Sequence, residues 1–256
     1  MRVILVDTRE DKAQLALLEN GKLIEVIHVD RDHLVGNIYV GQVKSVSQNF
    51  IFVDIGIHKN GFLHKQEGIK PNDFIQVRVK KNGINEKGPL LTFIGKAETA
   101  EISNIYQEDQ IQKIIDSEKP DQIIRSDDED RDIFSDYEIG YKLPKGNKVW
   151  LKSGGYLTIE KTAACTVIDV NTGKSTSKKH DVHHLTNIEA AEEIAYQLRL
   201  RQIAGIVIVD FINSKDQAQT KALLAILKEK TKSDRADVQV LGMTKLGLAE
   251  ITRQRI

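Results

Sequence analysis

The sequence predicts an α/β chain with an all-β module set into it, an α/β plus β class. Two observations carry this. Residues 149–256 alternate strand and helix signals, and residues 36–96 hold five short strand signals with no helical period. At 256 residues and 40% hydrophobic content, the chain buries a sizeable core and is expected to form two or three domains.

The elements follow in order. Residues 3–7, 14–19 and 23–29 read as a β-meander, with Asn20-Gly21 as the hairpin turn because both residues tolerate positive φ. Residues 38–46, 50–55, 61–64, 74–81 and 90–94 read as strands punctuated by Gly, Asn and Pro, which suggests a small closed barrel such as an OB-fold. Residues 99–117 read as a helix, 122–125 as a short strand, and Asp127-Asp128-Glu129-Asp130 as a solvated helix start lacking the glycine turn of a calcium loop. After that, 164–170, 206–211 and 238–241 read as strands of a parallel sheet. Thr186-Asn187-Ile188-Glu189 and Ser214-Lys215-Asp216-Gln217 read as capping boxes opening the two intervening helices.

Composition narrows the class. No run of eighteen apolar residues is present, and the short apolar stretch after Met1 meets charge too soon for a signal peptide. The single cysteine, Cys165, sits mid-strand and excludes an internal disulfide or a Cys-cluster zinc site within one chain. A soluble, cytoplasmic protein is expected. The net charge of +0 hides a division: residues 38–96 carry nine Lys/Arg against four Asp/Glu, 97–140 four against fourteen, and 141–256 nineteen against twelve. Two basic modules flanking an acidic connector are the footprint of a polyanion partner, or simply of solvated faces.

The chemistry gathers at two strand ends. Thr166-Val167-Ile168-Asp169-Val170-Asn171 and Ile206-Val207-Ile208-Val209-Asp210-Phe211 each close an apolar strand with a carboxylate. Asp169 and Asn171 share one strand face by period two. If the strands are neighbours, Asp210 lies beside Asp169, and the two charges repel unless a cation lies between them. All-oxygen ligation with few protein ligands suits Mg²⁺, which activates water and stabilises charge on a phosphodiester. The alternative is that each Asp caps a helix or pairs with a surface lysine. Lys174, Lys178, Lys179, Arg199, Arg201, Lys245, Arg253 and Arg255 are candidates to line the same edge and contact phosphate. In the barrel, Phe52 and Phe62 either stack bases, with Lys80, Lys81 and Lys87 holding the backbone, or fill the core. His180, His183 and His184 lack the spacing of a structural zinc site and read as loop.

These residues together resemble the ribonuclease E/G family of endoribonucleases. Gly36-Asn37-Ile38-Tyr39-Val40-Gly41, Phe52-Val53-Asp54-Ile55-Gly56 and Lys59-Asn60-Gly61-Phe62-Leu63-His64 look like the family's S1-like RNA-binding barrel. Ser153-Gly154-Gly155-Tyr156, Val167-Ile168-Asp169-Val170-Asn171-Thr172-Gly173, Asn187-Ile188-Glu189, Gln197-Leu198-Arg199-Leu200-Arg201, Val209-Asp210-Phe211 and Met243-Thr244-Lys245-Leu246-Gly247-Leu248 follow its catalytic subdomain in order.

The resemblance implies an RNase H-like subdomain from residues 1–35 and 97–150, interrupted by an S1-like OB-fold at 36–96 and followed by a DNase I-like catalytic subdomain at 151–256. It implies Asp169 and Asp210 as Mg²⁺ ligands, and Asn171 as the residue bonding near the scissile phosphate. Phe52, Phe62 and Lys87 match RNA-holding positions. The implied activity is Mg²⁺-dependent cleavage of single-stranded RNA by metal-activated water, leaving 5′-phosphate and 3′-hydroxyl ends. The chain departs from the family in two places. Residues 90–94 run almost directly into 99–117, so the 5′-end-sensing insertion is expected to be absent or reduced. No two-cysteine zinc link is present, so a zinc-bridged dimer is not expected, and the oligomeric state stays open. The competing readings are a non-catalytic RNA-binding protein from the same core and a nuclease acting on DNA.

Overall fold

Asn20 and Gly21 both take positive φ, 50° and 79°, and so turn the chain tightly between two strands whose right-handed twist demands it. This is the first hairpin of a computed structural model that describes residues 1–8, 12–30, 34–83, 87–126, 131–173, 180–213 and 216–255. The chain divides into two compact units, one formed by Met1–Arg9, Gln14–His28 and Glu118–Ile256, the other by Glu10–Ala13 and Val29–Ser117. The described residues form mixed α/β structure with several sheets. No described helix is long and apolar enough to cross a membrane.

The meander consists of β1 (Arg2–Asp7), β2 (Lys12–Glu19) and β3 (Lys22–Asp30), each a residue or two longer than its sequence signal. Its inward positions Leu5, Ala16, Leu18 and Leu23 are buried.

In the second unit, β4 (Ile38–Val46), β5 (Phe50–Asp54), β6 (Gly61–His64), β7 (Phe74–Lys81) and β8 (Leu90–Lys96) close a five-stranded barrel in the order β4-β5-β6-β8-β7-β4. Only β6 and β8 pair in parallel. Alternate residues fill the interior: Val43, Ile51, Val53, Leu63, Ile75, Val77, Val79 and Leu91. The loop before β8 presses on the turn before β6, where a Cβ on Gly88 would lie 1.9 Å from the Asn60 carbonyl oxygen. That approach requires glycine.

The expected helix over 99–117 is a strand and a shorter helix. β9 (Ser103–Tyr106) pairs with Ile38, Tyr39 and Val40 of β4, and α1 spans Gln110–Glu118. The reason lies in β4: β5 covers only Gln42 to Val46, leaving the backbone groups at residues 38–40 open on that side. Pairing them outweighs the modest helix propensity of 103–106. Asp109 caps α1 by accepting from the Gln112 amide at 2.9 Å. Just before it, a hydrogen bond from Lys113 holds the Glu108 carboxyl below the usual carboxylate range against the opposing effect of burial.

In the first unit, β10 (Gln122–Arg125) joins the meander parallel to β1. The segment Asp127-Asp128-Glu129-Asp130 lies outside the described residues. Asp132 caps α2 (Ile133–Asp136), α3 (Ile139–Lys142) follows, and both place an isoleucine in the meander core. A six-stranded sheet is then built from β11 (Lys148–Trp150), β12 (Tyr156–Lys161), β13 (Thr166–Asn171), β14 (Gly205–Asp210), β15 (Val238–Met243) and β16 (Ala249–Arg253), in the order β11-β12-β13-β14-β16-β15. The parallel sheet expected from sequence is confined to β13–β14, and the remaining pairs are antiparallel. β15 and β16 are joined by a turn closed by Thr244 N–H donating to Leu248 O at 2.8 Å, too short for a parallel crossover, and β16 takes the place beside β14.

Helix α4 (His180–Leu200) joins β13 to β14, and α5 (Gln217–Thr231) joins β14 to β15. Asp216 caps α5, accepting from Ala218 N–H at 2.8 Å. Ser214 and Lys215 lie outside the described residues. Thr186 and Asn187 do not open a helix but lie inside α4, and His183 and His184 occupy its first turns instead of a loop. Two apolar faces explain the length of α4. Ala190, Ala191, Ile194 and Leu198 pack on the six-stranded sheet, while Tyr196 and Leu200 pack on the meander. The Tyr196 hydroxyl donates to Leu23 O at 2.7 Å, and burial raises its pKa to about 12.

The end of α4 is tied by charge. Arg199 pairs with Glu25 at 2.8 Å and with Glu118, and donates to Ser233 O at 2.8 Å. Burial opposes its charge, yet Glu25 and Glu118 more than offset this and raise its pKa. Glu25 is fully buried and also accepts from Arg235 and Gln202. Removing Arg199 takes away the cation that Glu25 and Glu118 share. Arg199→Met is therefore expected to lower unfolding free energy by about 3–5 kcal/mol, measured by urea denaturation, because it leaves Glu25 and Glu118 buried without their shared cation.

Candidate active site

Helices α4 and α5 cover one face of the six-stranded sheet. Leu157, Ile159, Ile168, Val170, Val207, Val209, Ala249 and Ile251 point into that core. Their neighbours by period two point to the other face, so Thr158, Val167, Asp169, Asn171, Ile208, Asp210 and Glu250 share it. The parallel ladder sets Val167 opposite Ile208 and Asp169 opposite Asp210. Paired residues on adjacent strands are about 5 Å apart at Cα, so two exposed carboxylates stand side by side at the strand ends. Asn171 donates from Nδ2 to Asp169 Oδ2 at 2.7 Å, which fixes the carboxylate and leaves the amide oxygen of Asn171 free to accept.

The edge around this pair is assembled from close backbone contacts. A Cβ on Gly173 would lie 2.2 Å from Gly154 O, and one on Gly155 would lie 2.6 Å from Asn171 O. The turn before β12 therefore lies flat against the end of β13. Side chains from the middle of α4 hold this edge. Glu189 accepts from Ser153 N–H at 2.8 Å, and Asn187 bonds both the carbonyl (2.8 Å) and the N–H (3.0 Å) of Ile212. The local pattern Thr186-Asn187-Ile188-Glu189 places both residues in a capping box. Their polar atoms are spent on loops instead, which no local pattern reveals.

The basic residues divide by edge. Lys245 is exposed in the turn between β15 and β16, next to the end of β14 that carries Asp210. Arg199 and Arg253 do not line that edge. Helix α4 runs back to the start of β14, so its last turn lies at the opposite edge. Arg253, paired in register with Gly205, is buried there against Asp234 at 2.8 Å. Arg201, at the same end of α4, donates to Gly146 O at 2.8 Å. Lys174, Lys178 and Lys179 lie outside the described residues.

On the barrel, Phe52 and Phe62 stand opposite each other on β5 and β6 and point outward, away from the buried Ile51, Val53 and Leu63. Phe52 is 38% exposed. Phe50 packs edge-on to Phe62 with centroids 5.7 Å apart, and on His64 at 5.2 Å. Phe62 pairs with Leu90, and Leu90 with Lys81, so an aromatic pair and a lysine lie in one row across three neighbouring pairs of strands. A bulge between Val79 and Lys81 turns both Lys80 and Lys81 to the surface. Lys87 is exposed in the loop that lies against Asn60.

The family model of the ribonuclease E/G family matches residues 90–256. The chain belongs to the ribonuclease E/G family. Ribonuclease G of Salmonella typhimurium (strain SL1344) is 40% identical over 127 residues, covering 48% of this chain and 26% of that protein. Ribonuclease E of Nostoc sp. (strain PCC 7120) is 46% identical over 110 residues, 42% of this chain and 16% of that protein. Ribonuclease E of Escherichia coli (strain K12) is 37% identical over 129 residues, 48% of this chain and 12% of that protein. The chain thus spans about a quarter or less of the curated relatives it matches.

Proposed function

We propose that this chain is an endoribonuclease that cuts single-stranded RNA at the open sheet face around Asp169 and Asp210. The carrying observation is their direct register on adjacent parallel strands, within the segment the family model covers. In this reading the barrel is an S1-like OB-fold, as its order and single parallel pair support. The meander with β10 is the RNase H-like part, and the six-stranded sheet with α4 and α5 is the DNase I-like catalytic part. A cytoplasmic role in RNA processing fits a chain whose single cysteine is free.

The donor set fits Mg²⁺. Two adjacent carboxylates leave most positions of an octahedral ion to water and phosphate oxygens, as that ion prefers. Among the described residues no group of three or more His, Cys, Asp and Glu is placed to hold a metal, so the set is not that of a structural zinc site. A bound Mg²⁺ would supply charge neutralisation at the phosphate and a more acidic water. The chain's own groups do the rest. Asp169 and Asp210 provide the negative charge that holds the cation, and Asn171 keeps Asp169 in one orientation while its amide oxygen accepts from water or a sugar hydroxyl. Lys245 attracts the phosphate backbone. Water attack at phosphorus with departure of the 3′-oxygen leaves a 5′-phosphate and a 3′-hydroxyl. On the barrel, Phe52 and Phe62 stack bases, and Lys80, Lys81 and Lys87 hold the backbone.

A purely RNA-binding protein has no use for a carboxylate pair that repels phosphate, so the non-catalytic reading is not favoured. Asp210→Asn is expected to abolish Mg²⁺-dependent internal cleavage of a labelled single-stranded RNA while leaving affinity equal or slightly higher, since a repelling charge is lost. Cleavage at the wild-type rate would remove Asp210 from the site. Phe62→Ala is expected to weaken RNA binding by about 1–3 kcal/mol in an equilibrium titration without unfolding the barrel, because the ring lies outside the core. Unchanged affinity would show that this face does not touch RNA.

A further inference from the structure

The sheet face that carries Asp169 and Asp210 continues across β12 to β11. Register sets Asn171 opposite Tyr156, and Tyr156 opposite Trp150. Trp150 is 65% exposed, a departure for a residue type that is highly buried on average. Its neighbour Val149 points into the core, so the strand's alternation, not a missing core, turns the indole outward. The Trp150 and Tyr156 rings meet at 60° with centroids 5.4 Å apart. Lys148, two residues before Trp150 on the same face, places its ammonium 4.2 Å from the indole centroid and 3.7 Å from the phenol centroid.

We infer that Lys148, Trp150 and Tyr156 form a stacking shelf for a nucleobase of single-stranded RNA beside the scissile phosphate. The inference rests on the ribonuclease reading above. Tyr156 lies one strand from Asn171 and Trp150 two, about 5 and 10 Å across the ladder, so a base on the shelf belongs to a nucleotide next to the one at the carboxylates. Two aromatic rings and one cation are what an unpaired nucleotide offers surfaces for: a π-face for the rings and a phosphate for the ammonium. Stacking outweighs an exposed cation–π contact, so the incoming base takes the ring face and Lys148 turns to the phosphate. Because stacking accepts every base, the shelf positions the strand with little sequence preference. Trp150 and Tyr156 are positioning residues here, separate from the barrel aromatics.

Trp150 is the only tryptophan of the chain, so intrinsic fluorescence reads the shelf alone. The test titrates the wild-type protein, in EDTA to prevent cleavage, with a single-stranded oligoribonucleotide. Binding is followed in parallel by anisotropy of the same RNA carrying a dye. Tryptophan emission is expected to change with the same midpoint as the anisotropy. Trp150→Ala should weaken binding roughly 5- to 150-fold, and Trp150→Phe, which keeps a ring, should restore most of it. RNA binding with unchanged tryptophan emission and unchanged affinity in Trp150→Ala would overturn the shelf and leave the ribonuclease reading standing. No anisotropy change at all would overturn both.

Discussion

The site depends on one constraint, the parallel register of β13 and β14 that sets Asp169 directly opposite Asp210. A slip by one residue would turn one carboxylate into the core, because the side-chain period is two. The register is held by burial. Ile168 and Val170 on one strand and Val207 and Val209 on the other are buried beneath α4, at about 1.5–3 kcal/mol for each large side chain. The same alternation that buries these four sends both carboxylates to the open face. The electrostatic cost of two adjacent charges is thus imposed by hydrophobic packing.

Helix α4 is the second device. It is the crossover that makes β13 and β14 parallel, and its two apolar faces bind it to both the six-stranded sheet and the meander. Its middle holds the edge that carries Asp169 and Asp210 through Asn187 and Glu189, and its end is fixed by Arg199 among Glu25 and Glu118. Polar atoms inside α4 therefore do positional work at both ends of the sheet. The loops that carry Asn171 and the residues after Asp210 are positioned by a rigid helix and by glycines that let backbones touch.

Much of this was legible in the sequence because it is local. Asn20-Gly21 announced its hairpin, the strands of the barrel followed from alternation, those of the Asp169 and Asp210 segments from their apolar runs, and the carboxylates stood out as polar groups closing those runs. What was not legible depends on distant partners. Arg199 and Arg253 look like phosphate contacts until Glu25, Glu118 and Asp234 are found beside them. Residues 103–106 form a strand because β4 leaves part of an edge unpaired, and β16 enters beside β14 although β15 precedes it in the chain. Thr186 and Asn187 satisfy the local pattern of a helix start, yet the helix begins at His180. The Trp150 shelf was visible in principle, since Lys148-Val149-Trp150 and Tyr156-Leu157-Thr158 alternate, but the first stretch is too short to read as a strand unaided.

In the proposed site, Asp169 and Asp210 hold one divalent cation between them. Mn²⁺, whose spectrum reports its free form, stands in for Mg²⁺ in an electron paramagnetic resonance titration of the protein without RNA. A bound ion is expected in the wild-type protein, lost in Asp169→Asn and in Asp210→Asn while both variants stay folded. Undiminished Mn²⁺ binding in both variants would contradict it.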